Sequence, residues 1–92
     1  MIKSFNHKGL KKFFLTGDAK GINNNHTTKI RRILTLLHEA DDVKDLSCVG
    51  FRLHKLKGDK NNLWSVTVSG NYRITFEFRN KHAYILDYLD YH

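Results

Sequence analysis

The last three side chains of the sequence are a carboxylate, a phenol and an imidazole: Asp90, Tyr91 and His92. They follow an aromatic-rich apolar stretch over residues 83–89. Disordered tails are usually polar and poor in aromatic residues. This ending is therefore expected to dock on the body of the protein and contribute to a site. Upstream, His54 and Lys57 flank the point where an alternating stretch gives way to the polar turn Lys57-Gly58-Asp59, and Arg73 lies in a second alternating stretch. Imidazoles titrate near neutral pH and can serve as base or acid. Lys57 and Arg73 can neutralise the charge that develops on a pentacovalent phosphate. Tyr91 can stack on a nucleobase, a contact worth about 1–3 kcal/mol. Asp90 can hold a histidine or accept a proton itself. The set fits cleavage of RNA, which carries its own nucleophile in the 2′-hydroxyl and needs a base, an acid and cations around the phosphate.

Each of these residues has a plainer reading. His54 can be an ordinary exposed strand histidine. Arg73 can pair with Glu77 on the same strand face. Lys57 and Lys60 can solubilise a turn, and Tyr91 can be an end-of-strand aromatic. His7, His26, His38 and His82 form no constellation in the sequence and are expected at the surface. Asp87, Asp90 and His92 offer metal-ligand chemistry, but no HxxxH or HExxH spacing occurs and the single cysteine excludes a zinc finger. No metal and no cofactor is expected. Cys48 has no implied base beside it and reads as structural.

Stepping out to the whole chain, 92 residues suit one domain over 1–92 with a modest core. Sixteen Lys and Arg against nine Asp and Glu give a net charge of +7, which favours a polyanionic partner, above all nucleic acid. No apolar run is long enough to span a bilayer, and no signal-peptide pattern opens the chain. One cysteine cannot form an internal disulfide, so a reducing cytoplasm is the expected compartment.

The elements that must position the site follow from periodicity. Residues 2–5 are expected to form a short first strand. Leu10, Phe13 and Phe14 give helical spacing over residues 7–15, with Gly17 placed to end the helix and Lys8, Lys11 and Lys12 on its outer side. A loop follows to Asn25. Thr27 or Thr28 caps a second helix whose apolar side is Ile30, Ile33, Leu34, Leu37 and Ala40, and whose wet face carries Arg31 and Arg32. After Gly50 the period becomes 2. Strands are expected over residues 51–56, 63–68 and 72–78, joined by turns at Ser69-Gly70-Asn71 and Asn80-Lys81. Residues 83–89, apolar on both sides, are expected as a central strand. The alternation puts Arg52, His54, Arg73 and Thr75 on the free face and Phe51, Leu53, Ile74 and Phe76 in the core. It pairs Asp90 with His92 on one face without fixing which. The fold class is α+β: an N-terminal strand and two helices packed on a mainly antiparallel sheet. Lys8, Lys11, Lys12, Arg31, Arg32 and Lys55 are the expected RNA-binding cations.

The opening Met1-Ile2-Lys3-Ser4-Phe5, the block Leu53-His54-Lys55-Leu56-Lys57-Gly58-Asp59, Trp64-Ser65-Val66, the strand Tyr72-Arg73-Ile74-Thr75-Phe76 and the ending Asp87-Tyr88-Leu89-Asp90-Tyr91-His92 closely resemble the HigB toxins of the RelE/ParE superfamily. The resemblance runs from end to end and rests on the ordered set of motifs. It implies a microbial-ribonuclease type of fold and a metal-independent endoribonuclease that cuts mRNA in the ribosomal A site. It also implies contact with the 30S subunit and its 16S rRNA, neutralisation by a HigA-type antitoxin, and contact with operator DNA only through the toxin–antitoxin complex. By matching position it assigns joint importance to His54, Lys57, Arg73, Asp90, Tyr91 and His92, and it brings the tail to the open face. Two other readings stay open: a non-enzymatic ParE-like inhibitor of DNA gyrase, and a basic nucleic-acid-binding module.

Overall fold

A computed structural model describes residues 1–58 and 62–91. Helix α1 spans Lys8–Thr16 and α2 spans Thr27–Glu39, with short 3-10 turns at Asn24–His26 and Val43–Leu46. Four strands follow: β1 (His54–Lys55), β2 (Trp64–Ser69), β3 (Tyr72–Arg79) and β4 (His82–Asp90). They form one antiparallel sheet in the order β1-β2-β3-β4. The expected α+β architecture, two helices on an antiparallel sheet, is the one observed.

Gly17 ends α1 where the sequence places it, but the expected Thr27 or Thr28 cap of α2 does not form: His26 holds that position without a side-chain cap bond, and the Thr27 hydroxyl donates to the Asn24 carbonyl at 3.2 Å. His7 sits at the N-cap of α1, where its Nδ1 accepts the Leu10 N–H at 3.0 Å. Gly17 ends the helix at φ +81°, in the left-handed region that suits glycine. The apolar sides of both helices, Leu10 and Phe13 on α1 and Ile30, Ile33, Leu34 and Leu37 on α2, are buried against Val66, Val68, Ile74, Phe76 and Leu86 of the sheet. Among the described residues no helix packs on the other face of the sheet, although Ser65 and Thr75 at its centre are buried.

Three further expectations need correction. The N-terminal segment is no full strand. It docks on β4 through isolated parallel bridges, Ile2 to Ala83 and Phe5 to Leu86. For the same reason β4 is the last of the four strands and not a central one, but its outer edge is covered: the Lys3 N–H reaches the Ala83 carbonyl at 2.8 Å and the Leu86 N–H reaches the Ser4 carbonyl at 3.1 Å. This lateral cover accounts for its apolar composition. The third correction is that β1 is two residues long. Arg52 takes a left-handed φ of 49°, which breaks the extended run after the buried Phe51.

The turns set the register. In the β3–β4 hairpin both loop residues, Asn80 and Lys81, have positive φ, the geometry whose twist matches the flanking strands. Within β4, Ile85 sits at φ 50° and makes a bulge, so that Thr75 pairs with Asp87 but Glu77 with Tyr84. The Ile85 N–H released from the ladder is taken by the Ser4 hydroxyl at 2.8 Å.

Candidate active site on the open face of the sheet

Directly paired residues of antiparallel strands lie on the same face. The register therefore lines up a row across the open face: His54 on β1, Ser65 on β2, Thr75 on β3 and Asp87 on β4. The adjacent row is Thr67, Arg73 and Leu89. The fold thus brings His54 and Arg73 to neighbouring rows of one face, as the alternation implied.

Two contacts fix these side chains, and neither was apparent in the sequence. His54 is exposed, and its Nδ1 lies 2.9 Å from the Arg52 carbonyl oxygen. A carbonyl only accepts, so Nδ1 carries the proton and Nε2 keeps the lone pair in the neutral ring. The left-handed turn at Arg52 is what aims this carbonyl at the ring. Arg73 donates from Nη1 to the Thr67 hydroxyl at 2.7 Å. It does not pair with Glu77, whose partner is Arg79. The guanidinium is half-buried and steered from the neighbouring strand, with its other donors left for a ligand. Strand parity in β2 could have pointed to Thr67. The Arg52 carbonyl had no sequence signal.

The remaining catalytic candidates are distributed differently. Lys57 is exposed just beyond β1. Asp90 ends β4 opposite Tyr72, whose ring packs against His26 on the helix side. Asp90 therefore shares that side and not the row of Arg73. Tyr91 follows, half-buried, with its backbone N–H donated to the Asn71 carbonyl at 2.8 Å. The register alone thus does not carry Asp90 to the open face. His92 lies outside the described residues, as do Asp59, Lys60 and Asn61 in the turn after Lys57.

The six cations expected to bind RNA do not form one surface with His54 and Arg73. Lys8, Lys11 and Lys12 are exposed on α1, and Lys12 is engaged by Asp18 at 3.2 Å. A hydrogen bond from the Lys20 backbone, then Lys12, holds the Asp18 carboxyl below its usual range. Arg31 lies over the Phe13 ring at 5.4 Å and Arg32 over Phe51 at 5.4 Å. Beside them, Lys29 donates to the Gly50 carbonyl at 2.9 Å, and its ammonium is pushed below the ordinary lysine value by burial and then by Arg32. These groups belong to the helical layer, across the sheet from the open face. Lys55, next to His54 but on the opposite strand face, lies over Trp64 at 5.8 Å.

The four histidines expected at the surface are structural. His26 is only 6% exposed, and its Nδ1 meets the Tyr88 hydroxyl at 2.6 Å. His7 caps α1. His38 accepts the Ile2 N–H on Nδ1 at 3.2 Å, which ties α2 to the N-terminal segment. His82 is half-buried, and burial, then Lys3 and the amino terminus, hold its imidazole below the ordinary value. Hydropathy treats histidine as polar, so their burial left no pattern to read. Among the described residues no group of three or more His, Cys, Asp or Glu is placed to hold a metal ion. No helix among them is long and apolar enough to cross a membrane.

A family model for the RelE-like toxin of the type II toxin–antitoxin system HigB matches residues 3–92. A relative from Proteus vulgaris, an endoribonuclease HigB, is 46% identical over 92 residues, covering the whole of both chains.

Proposed function

Since the chain belongs to the RelE-like HigB toxins of type II toxin–antitoxin systems, we propose that its open sheet face cuts mRNA in the ribosomal A site by attack of the RNA's own 2′-hydroxyl. It is an endoribonuclease with an antitoxin partner and an RNA target. The observation that carries the finer reading is that His54 and Arg73 share one sheet face in adjacent rows, one with its proton-accepting nitrogen defined, the other with its guanidinium steered.

The reaction uses these groups as follows. The 2′-oxygen loses its proton to a base and attacks the adjacent phosphorus. The bond from phosphorus to the 5′-oxygen breaks, and that oxygen takes a proton from an acid. The products are a 2′,3′-cyclic phosphate and a 5′-hydroxyl. His54 acts through Nε2 as base or acid, His92 supplies the other proton transfer, and Asp90, on the helix side of the strand end, holds the tail and does not meet the phosphate. Arg73 and Lys57 balance the charge of the phosphorane, a role that preorganised cations perform without reorganisation. Tyr91 stacks on a base beside the scissile bond. The helical-layer cations Lys8, Lys11, Arg31 and Arg32 contact ribosomal RNA or another part of the message, since they stand across the sheet from the cleaved phosphate.

The gyrase-inhibitor reading lacks a role for a tautomerically fixed imidazole on the same sheet face as a steered guanidinium. The deciding experiment incubates the purified protein with a defined mRNA, with and without ribosomes, and maps the cut ends. Codon-phased cuts that appear only with ribosomes support the proposal. Cleavage of free RNA at equal rate removes ribosome dependence, and intact mRNA alongside blocked supercoiling supports the gyrase reading.

A further inference from the structure

Beneath the end of β4, on the helix side, lies a cluster that the reaction chemistry does not use. Tyr88 is 9% exposed and His26 is 6% exposed, so a phenol and an imidazole are buried together. Burial of such groups is costly unless they are hydrogen-bonded. They meet at 2.6 Å. Burial raises the Tyr88 phenol above its ordinary value, partly offset by the Asn23 backbone, with Tyr72 and Asp90 adding to the rise. The phenol therefore keeps its proton, and one hydrogen bond joins its hydroxyl to His26 Nδ1. Tyr72 stacks on Tyr88 with ring centroids 5.4 Å apart and meets the His26 ring edge-on at 4.7 Å. The His7 ring closes the other side of Tyr88 at 5.4 Å. Residues at the starts of both helices thus grip one tyrosine of β4.

That grip has a direct mechanical consequence. Tyr72 pairs with Asp90, two residues beyond Tyr88 on the same face. Tyr91 is bonded through its N–H to Asn71, the residue before Tyr72. Any shift of the Tyr72–Tyr88 stack must move Asp90 and Tyr91 with it. We propose that His26, Tyr88 and Tyr72 form a positioning clamp that holds Asp90 and Tyr91 in place for cleavage. The functional half of this inference rests on the reading that Tyr91 acts on RNA while Asp90 holds the tail beside it. The clamp residues touch no substrate. They act through the strand end, and a misplacement of about 1 Å is enough to slow a reaction about a hundredfold.

The test combines ribosome-dependent cleavage kinetics with amide hydrogen exchange on His26→Ala, His26→Asn and Tyr88→Phe. His26→Ala should lower kcat by about ten- to a hundredfold with little change in KM, a split expected of lost positioning and not of lost binding. The Tyr91 amide should exchange faster in the same variant while amides of the β2–β3 ladder stay protected. His26→Asn, whose Oδ1 falls near the position of Nδ1, should recover most of both effects. Tyr88→Phe keeps the ring and the fold and removes only the hydroxyl, so it gives the answer if His26→Ala does not fold. Unchanged kcat in Tyr88→Phe, or reduced kcat with no change in Tyr91 exchange, would overturn the clamp. Should the wild-type protein cut no RNA, the functional half fails with the reading it rests on. The exchange data still decide whether the clamp holds the strand end.

Discussion

Replacing Thr67 by valine keeps the shape and β-branching of the side chain and removes only the hydroxyl that receives Arg73 Nη1 at 2.7 Å. The guanidinium then loses the hydroxyl that steers it on the open face. A hydrogen bond involving a charged partner is worth about 1.5–3 kcal/mol. If the whole of that energy serves to hold Arg73 against the developing phosphorane, kcat falls by about 10- to 150-fold, at 1.36 kcal/mol per tenfold. Water can solvate a half-buried guanidinium in part, so the lower end of that range is the expected result. Stability should fall by no more than about 1 kcal/mol, which for a chain of this size lowers the melting temperature by about 4–8 °C. The assay is single-turnover cleavage of a programmed ribosome, compared with Arg73→Ala as the limit of complete loss. Thr67→Ser, which retains the hydroxyl, should stay near wild type. Thr67→Val at full rate, while Arg73→Ala is inactive, would refute the reasoning. Arg73 would then be positioned by substrate alone.

Other outcomes follow from particular residues. His54→Ala should lose about 10²- to 10⁴-fold in kcat, the usual contribution of a general acid or base. Its melting temperature should hardly change, because the ring is exposed and, among the described residues, hydrogen-bonds the Arg52 carbonyl of its own strand end. Tyr88 should titrate above the ordinary phenol value of 10.0 in a spectrophotometric titration, and Tyr88→Phe should remove that late step. The sign for stability follows: the folded state holds this proton more tightly, so the contribution is full below pH 10 and is lost as pH rises through the folded value. Gly9→Ala places a Cβ 2.8 Å from the Gly21 Cα, a backbone atom that cannot swing aside. The clash should outweigh alanine's better helix propensity and destabilise by about 1–3 kcal/mol, measured by denaturant unfolding. It should also loosen the loop that leads to His26.

The sheet face was legible because the residue types of β3 alternate: Ile74 and Phe76 are buried and Arg73 lies on the opposite face, although Thr75 on that face is buried as well. The turn residues at 69–71 and 80–81 then fixed the register by their positions. What stayed hidden depended on single backbone torsions. Left-handed φ values at Arg52 and Ile85 have no signature in residue type, because neither is a residue that favours that region. The first shortened β1 and oriented His54. The second shifted the parity of β4, so that alternation counted from Ala83 could not place Asp90. Histidine burial was hidden for a different reason. The buried His26 and the half-buried His38 are each defined by a partner distant in sequence, Tyr88 and Ile2, and no local pattern encodes such a pair. The joint importance of the site residues came from resemblance, whereas the placement of His54 and Arg73 on one sheet face follows from the strand register.

The central claim is that the open face lets the message's own 2′-hydroxyl attack its phosphate. A defined mRNA carrying a single 2′-deoxy nucleotide on the 5′ side of the mapped cut tests it most directly. The account predicts that cleavage at that position disappears while the protein still binds the programmed ribosome and cuts unmodified message. Cleavage at the deoxy position at the normal rate would contradict it, because the nucleophile would then have to come from elsewhere.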